Sequence, residues 1–146
     1  MLTAAEIKSL LIDAFPSRTV DGPIAPHDCE ECERLRDHLT GISWISVPDT
    51  FPIDNPWALP LLTPEAYTAY LPAWLRASIT VPESDLAMAL LVNLEAAETA
   101  LGFTPNQVAT ILETARYLVE MGKFGPDVVA IEQLTNIETI WGPNAA

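Results

Sequence analysis

TPNQVATILETARYLVEMG, residues 104–122, reads as one amphipathic helix from cap to cap. Thr104 offers an N-cap oxygen, Pro105 takes the first helical position, where a missing N–H is harmless, and Gln107 can complete a capping box. Val108, Ile111, Leu112, Ala115, Leu118 and Val119 then recur at spacings of three and four until Gly122 stops the pattern. A stripe this regular must be covered by other elements, and flanking stretches repeat its device. Thr3 and Glu6 form a second capping box ahead of Ile7, Leu10, Leu11, Ala14 and Phe15, ended by Pro16. Thr63-Pro64-Glu65 opens another helix through Tyr67, Tyr70, Leu71, Trp74 and Leu75, in which Pro72 predicts a kink or break near Tyr70.

Three weaker patterns complete the set. Asp28 paired with Glu31, with acids crowding the first turn, predicts a helix ended by Gly41. Ser84 opens one through about Leu101, on Leu86, Leu90, Leu94, Ala97 and Leu101, and the last runs from Pro126 to about Ile140. The expected fold is therefore all-α (or mainly α), a single compact domain over residues 1–146 with five to six helices. β structure is limited to at most one short strand pairing near Ile42 to Val47. The expected core holds Leu10, Leu11, Phe15, Leu35, Leu39, Trp44, Leu71, Trp74, Leu90, Leu94, Ile111, Leu112, Leu118 and Val119.

Prolines at 48, 52, 56, 60 and 64 recur every fourth residue, which suits neither a helix interior nor polyproline ligands. They predict a long irregular strap from Pro48 to Leu62, ordered by burying Phe51, Ile53, Leu59, Leu61 and Leu62.

The chain has 146 residues, 49% of them apolar, enough for one well-filled core and too many for a disordered chain. Its 20 acids against 7 Lys and Arg give a net charge of −13, which repels phosphate backbones and anionic lipid, so neither nucleic acid nor a membrane is an expected partner. No stretch approaches the roughly 18 apolar residues that span a bilayer. The amino terminus does not read as a secretory signal, so a cytoplasmic location is expected.

Both cysteines and both histidines lie within His27–His38. On a helix Cys29 and Cys32 are about 60° and 4.5 Å apart, near enough to share a metal, whereas His38 lies about 9 Å beyond Cys32. His27, just before the helix, can fold back. One reading is therefore a zinc site from His27, Cys29 and Cys32, its fourth ligand coming from elsewhere or from water. The simpler reading is packing beside Leu35 and Leu39, with no cofactor. A redox pair is the third: the helix N-terminus lowers a thiol pKa, while Asp28, Glu30, Glu31 and Glu33 oppose it. No GxSxG elbow, HExxH or Gly-rich phosphate loop is present. All four tryptophans, Trp44, Trp57, Trp74 and Trp141, read most simply as core anchors with their N–H groups on carbonyls, and Trp57, flanked by prolines, is the one that also offers itself for partner binding.

Phe15-Pro16, Ile24, His27-x-Cys29-x-Glu31-Cys32, Gly41-x-x-Trp44, Leu62-Thr63-Pro64 and Tyr70-Leu71-Pro72-Ala73-x-Leu75, in that order, resemble an uncharacterised bacterial family known only as a domain of unknown function. The resemblance spans roughly residues 10 to 120 and implies a recurring domain with no assigned activity, substrate or cofactor. The expected function rests on the charge: a non-enzymatic acidic interaction domain, an immunity- or inhibitor-type binder of a basic protein, with Trp57, Phe51, Glu30 and Glu33 as contact residues. Zinc binding by His27, Cys29 and Cys32 is the alternative.

Overall fold

The computed structural model describes residues 1–96 and 102–144. Seven α-helices are present among them and no strand: α1 (Ala4–Ala14), α2 (Glu30–Leu39), α3 (Thr50–Asp54), α4 (Pro64–Thr80), α5 (Asp85–Leu94), α6 (Pro105–Met121) and α7 (Val128–Trp141). The all-α, single-core expectation stands. The count of five to six helices was short by α3, which forms inside the strap, and the segment considered for a strand pairing holds a 3-10 turn, Trp44–Ser46.

Helix α4 is the centre. Its residues are apolar almost all round, and Tyr67, Tyr70, Leu71, Trp74 and Leu75 are buried against α1, α3, α5 and α6. It runs through Pro72 without the predicted break. A proline in a helix interior costs about 3 kcal/mol, but a break would expose Leu71, Trp74 and Leu75, each worth about 1.5–3 kcal/mol when fully buried. The Tyr70 hydroxyl lies 2.7 Å from both the Leu39 and Ile42 carbonyl oxygens, holding α4 to the turn after α2; burial raises its pKa, so it stays a donor.

Helix α6 packs against α1, α4, α5 and α7 with the stripe expected of it. Its capping box joins two helices: Gln107 Oε1 accepts from the Thr104 N–H (3.0 Å) while its Nε2 donates to the Ala14 carbonyl (3.2 Å), an unpaired group at the end of α1. Leu10, expected in the core, is 36% exposed. Helix α1 meets α4 and α6 along the narrower stripe of Ile7, Leu11 and Phe15, leaving Leu10 at the rim.

The strap is not irregular. It holds α3 and a 3-10 turn, Leu59–Leu61, and Pro52 sits in the first turn of α3, where an N–H has no helical partner anyway. Phe51, Leu59 and Leu62 are buried, and the Trp74 Nε1–H donates to the Asn55 carbonyl (3.2 Å). Helix α5 stops at Leu94 rather than near Leu101. Glu95 follows as its C-cap, and both carboxylate oxygens of that residue are taken by α7, from Gln133 Nε2 (2.9 Å) and Asn136 Nδ2 (3.0 Å). Ala97 and Leu101, expected on the stripe of α5, lie outside the described residues.

Candidate functional site

The two ends of α7 are built differently. Near its C-terminus Ile137 and Trp141 are buried, the Trp141 Nε1–H donates to the Leu94 carbonyl (2.7 Å), and Arg116 of α6 donates twice to Glu138 Oε2 (2.8 and 3.1 Å). The N-terminal turn has no such cover: Val128 is 81% exposed and Val129 74%. Between this turn, the outer face of α5 and the end of α6 runs a groove of about 390 Å³, lined by Met88, Leu91, Val92, Leu118, Phe124 and Val129 among others.

Local sequence sets the shape of the groove. Gly122 ends α6 so closely that a Cβ there would lie 2.6 Å from the Leu118 carbonyl oxygen, so only glycine allows this exit. Gly125 takes φ +63°, its N–H donates to the Gly122 carbonyl (3.0 Å), and Asp127 Oδ1 accepts from the Ala130 N–H (2.8 Å) as the N-cap of α7. This tight turn leaves Phe124 68% exposed beneath the Lys123 ammonium, 5.6 Å from the ring centroid. Ser84, the N-cap of α5, is a lining residue whose Oγ is buried and unpaired among the described groups. Asp127 also lines it, and Glu83, Asp85 and Glu132 are chain neighbours of lining residues.

The expected contact residues lie outside this groove. Phe51 is 6% exposed, stacked under the His38 ring (4.5 Å, 18°) and edge-on to Trp74 (5.8 Å), so it serves the core. Trp57 is 55% exposed, and Glu30 and Glu33 are exposed on the first turn of α2. Trp57 is thus not the core anchor expected of every tryptophan, because the strap lays its ring outward, whereas the other three do donate to carbonyls: Trp44 Nε1 to Phe15 O (3.2 Å), with Trp74 and Trp141 as above. Trp57→Ala should leave thermal stability within about 0.5 kcal/mol of the parent, because little surface is lost from the core; a clear fall in melting temperature would show that the ring anchors the strap.

The N-cap of α2 is Cys29 rather than Asp28. Cys29 Sγ accepts from the Cys32 N–H (3.2 Å) and lies 2.6 Å from Cys32 Sγ. Cys29 is exposed and Cys32 buried. The donor from Cys32 pulls the Cys29 thiol below its ordinary pKa, whereas the same bond and burial push Cys32 up. His27 is exposed, its carbonyl held by Arg36 Nη1 (2.7 Å). His38 stacks on Phe51 instead of joining the cysteines, in keeping with the helix geometry. Among the described residues no group of three or more His, Cys, Asp and Glu side chains is placed to hold a metal; the two sulfurs are half of a tetrahedral set.

The groove escaped the sequence reading, although a signal was present. Val128-Val129-Ala130-Ile131 is four apolar residues in a row, more than one face of a surface helix can bury, and Phe124 stands between two glycines and next to a lysine. Comparison with protein-family models, with curated proteins and with solved structures found no match to this chain.

Proposed function

We propose that the protein is a non-enzymatic interaction domain whose groove between α5 and α7 receives an amphipathic helix of a basic protein partner. The observation that carries this reading is the set of exposed apolar side chains lining the groove: Met88, Val92, Phe124 and Val129. Monomeric soluble proteins rarely leave contiguous apolar surface of this kind uncovered, and where they do it marks an interaction site. Charge selects the partner. A surface of net charge −13 attracts a helix with Lys and Arg beside its apolar stripe and repels an acidic one. Among the described residues no helix is long and apolar enough to cross a membrane, so this face is not part of a spanning segment.

Model peptides test the reading. A helical peptide with Leu and Phe at i, i+3, i+4 and i+7 and a Lys- and Arg-rich back should bind, shifting amide resonances of α5, α7 and the turn between α6 and α7. Val129→Glu and Phe124→Ser should each weaken binding about tenfold or more, as loss of a central apolar contact does. Binding should fade as salt rises, and Trp57→Ala should leave it unchanged. Equal binding of a peptide with an acidic back would overturn the charge argument, and resonance shifts confined to the Trp57 face would overturn the groove. A concentration-dependent dimer abolished by Val129→Glu would assign the groove to a second copy of the chain.

A further inference from the structure

The cysteine pair at the start of α2 has a geometry the groove does not use. Cys29, at the N-cap, is open to solvent; Cys32, on the next turn, is 0% exposed, with its sulfur 2.6 Å from that of Cys29. We infer that Cys29 and Cys32 form a thiol–disulfide exchange site, with Cys29 the attacking thiol and Cys32 the resolving one, acting on disulfides that carry positive charge.

Access separates the roles. An external disulfide can meet the Cys29 sulfur, whereas the Cys32 sulfur is covered and faces Cys29. Thiolate at Cys29 is supported by the Cys32 N–H, by the thiol of Cys32 and by the amide end of a ten-residue helix. The approach is held in place by Arg36, whose Nη1 donates to the carbonyls of Ala25 (3.0 Å) and His27 (2.7 Å), fixing the segment that leads into the cap.

The step balances as ordinary exchange. The Cys29 thiolate attacks one sulfur of the external disulfide, forms a mixed disulfide and releases the first external thiolate, which takes up a proton. Cys32 gives its proton to solvent and attacks Cys29 Sγ; the Cys29–Cys32 disulfide forms and the second external thiol leaves. The protein dithiol loses two electrons and two protons, and the external disulfide gains them as two thiols.

Surrounding charge selects the substrate. Asp28, Glu30, Glu31 and Glu33 crowd the cap, and Glu31 acts directly on Cys29. The nearby cations are Arg36, turned to the two carbonyls, and Arg34, exposed beyond the first turn, with His27 exposed just before the cap. A dianionic disulfide such as oxidised glutathione is therefore repelled, and a dication such as cystamine attracted.

The reduced full-length protein is mixed with cystamine or with oxidised glutathione at equal concentration, quenched in acid and weighed intact. The expected product is the chain lighter by two hydrogens, formed about tenfold faster with cystamine at low salt, the ratio shrinking as salt rises. Cys32→Ser, checked for folding by circular dichroism, should trap a cysteamine adduct on Cys29. Cys29→Ser, which keeps a capping oxygen, should react about tenfold more slowly than the parent. Separate adducts on both cysteines of the parent with no lighter species would overturn the inference. So would a Cys29→Ser variant as fast as the parent, equal rates for the two disulfides at low salt, or a stoichiometric zinc ion that blocks the exchange.

Discussion

Trp141→Ala should destabilise the protein by about 3–5 kcal/mol, the range for deleting a large aromatic from a packed core, and lower the melting temperature by roughly 10 °C or more. The ring is 0% exposed, lies 5.6 Å from the Phe103 ring centroid, and its N–H closes the end of α5 through the Leu94 carbonyl at 2.7 Å. Removal would leave a cavity and an unpaired carbonyl together. Because α7 buries only Ile137 and Trp141 fully, the variant should also loosen α7 and weaken groove binding, while Trp57→Ala affects neither. Chemical denaturation with amide exchange across α7 checks both parts. A loss below about 1 kcal/mol would mean that Glu95 and Arg116 hold α7 without the ring.

Arg76→Ala should cost about 3 kcal/mol, at roughly 1 kcal/mol for each hydrogen bond lost. From α4 the guanidinium donates to Asp49 Oδ1 (3.0 Å), to the Ile45 carbonyl (3.1 Å) and to the Val47 carbonyl, and it lies over the Trp44 ring at 5.3 Å. One side chain thus clasps the 3-10 turn and the start of α3. Arg76→Lys should recover only part of the loss, because a single ammonium cannot satisfy three diverging acceptors. Asp49→Asn, which keeps an acceptor beside Arg76 and Thr80, should cost less than Arg76→Ala. Limited proteolysis near Asp49 to Asn55 provides the second readout: the parent should resist cleavage and Arg76→Ala should be cut there, since an unclasped segment opens more often.

Both variants bear on features the sequence carried unevenly. Helix starts were legible at Thr3, Thr63 and Thr104, where a capping oxygen and an acid or amide stand within four residues of one another, with proline at the first helical position after Thr63 and Thr104. The N-cap of α2 was misread because a cysteine sulfur, an uncommon acceptor, takes the place an Asp normally fills. At the candidate site, Cys29 and Cys32 were visible as a pair by spacing alone. Their division into one exposed and one buried sulfur was not, since that depends on which side of α2 meets the core.

By itself the sequence determined the helical class, the main apolar stripes and the net acidity, because each depends on residues within a turn or two of one another or on composition. Only the tertiary structure decided that α4 runs through Pro72, that the strap folds into α3, that Leu10 lies at a rim, and that Phe124, Val128 and Val129 stay exposed. Those outcomes depend on contacts between residues far apart in the chain. Burial of α4 on all sides outweighs the cost of one proline, and α7, fastened at its C-terminal half by Trp141, Glu138 and the Glu95 carboxylate, keeps Val128 and Val129 of its first turn exposed.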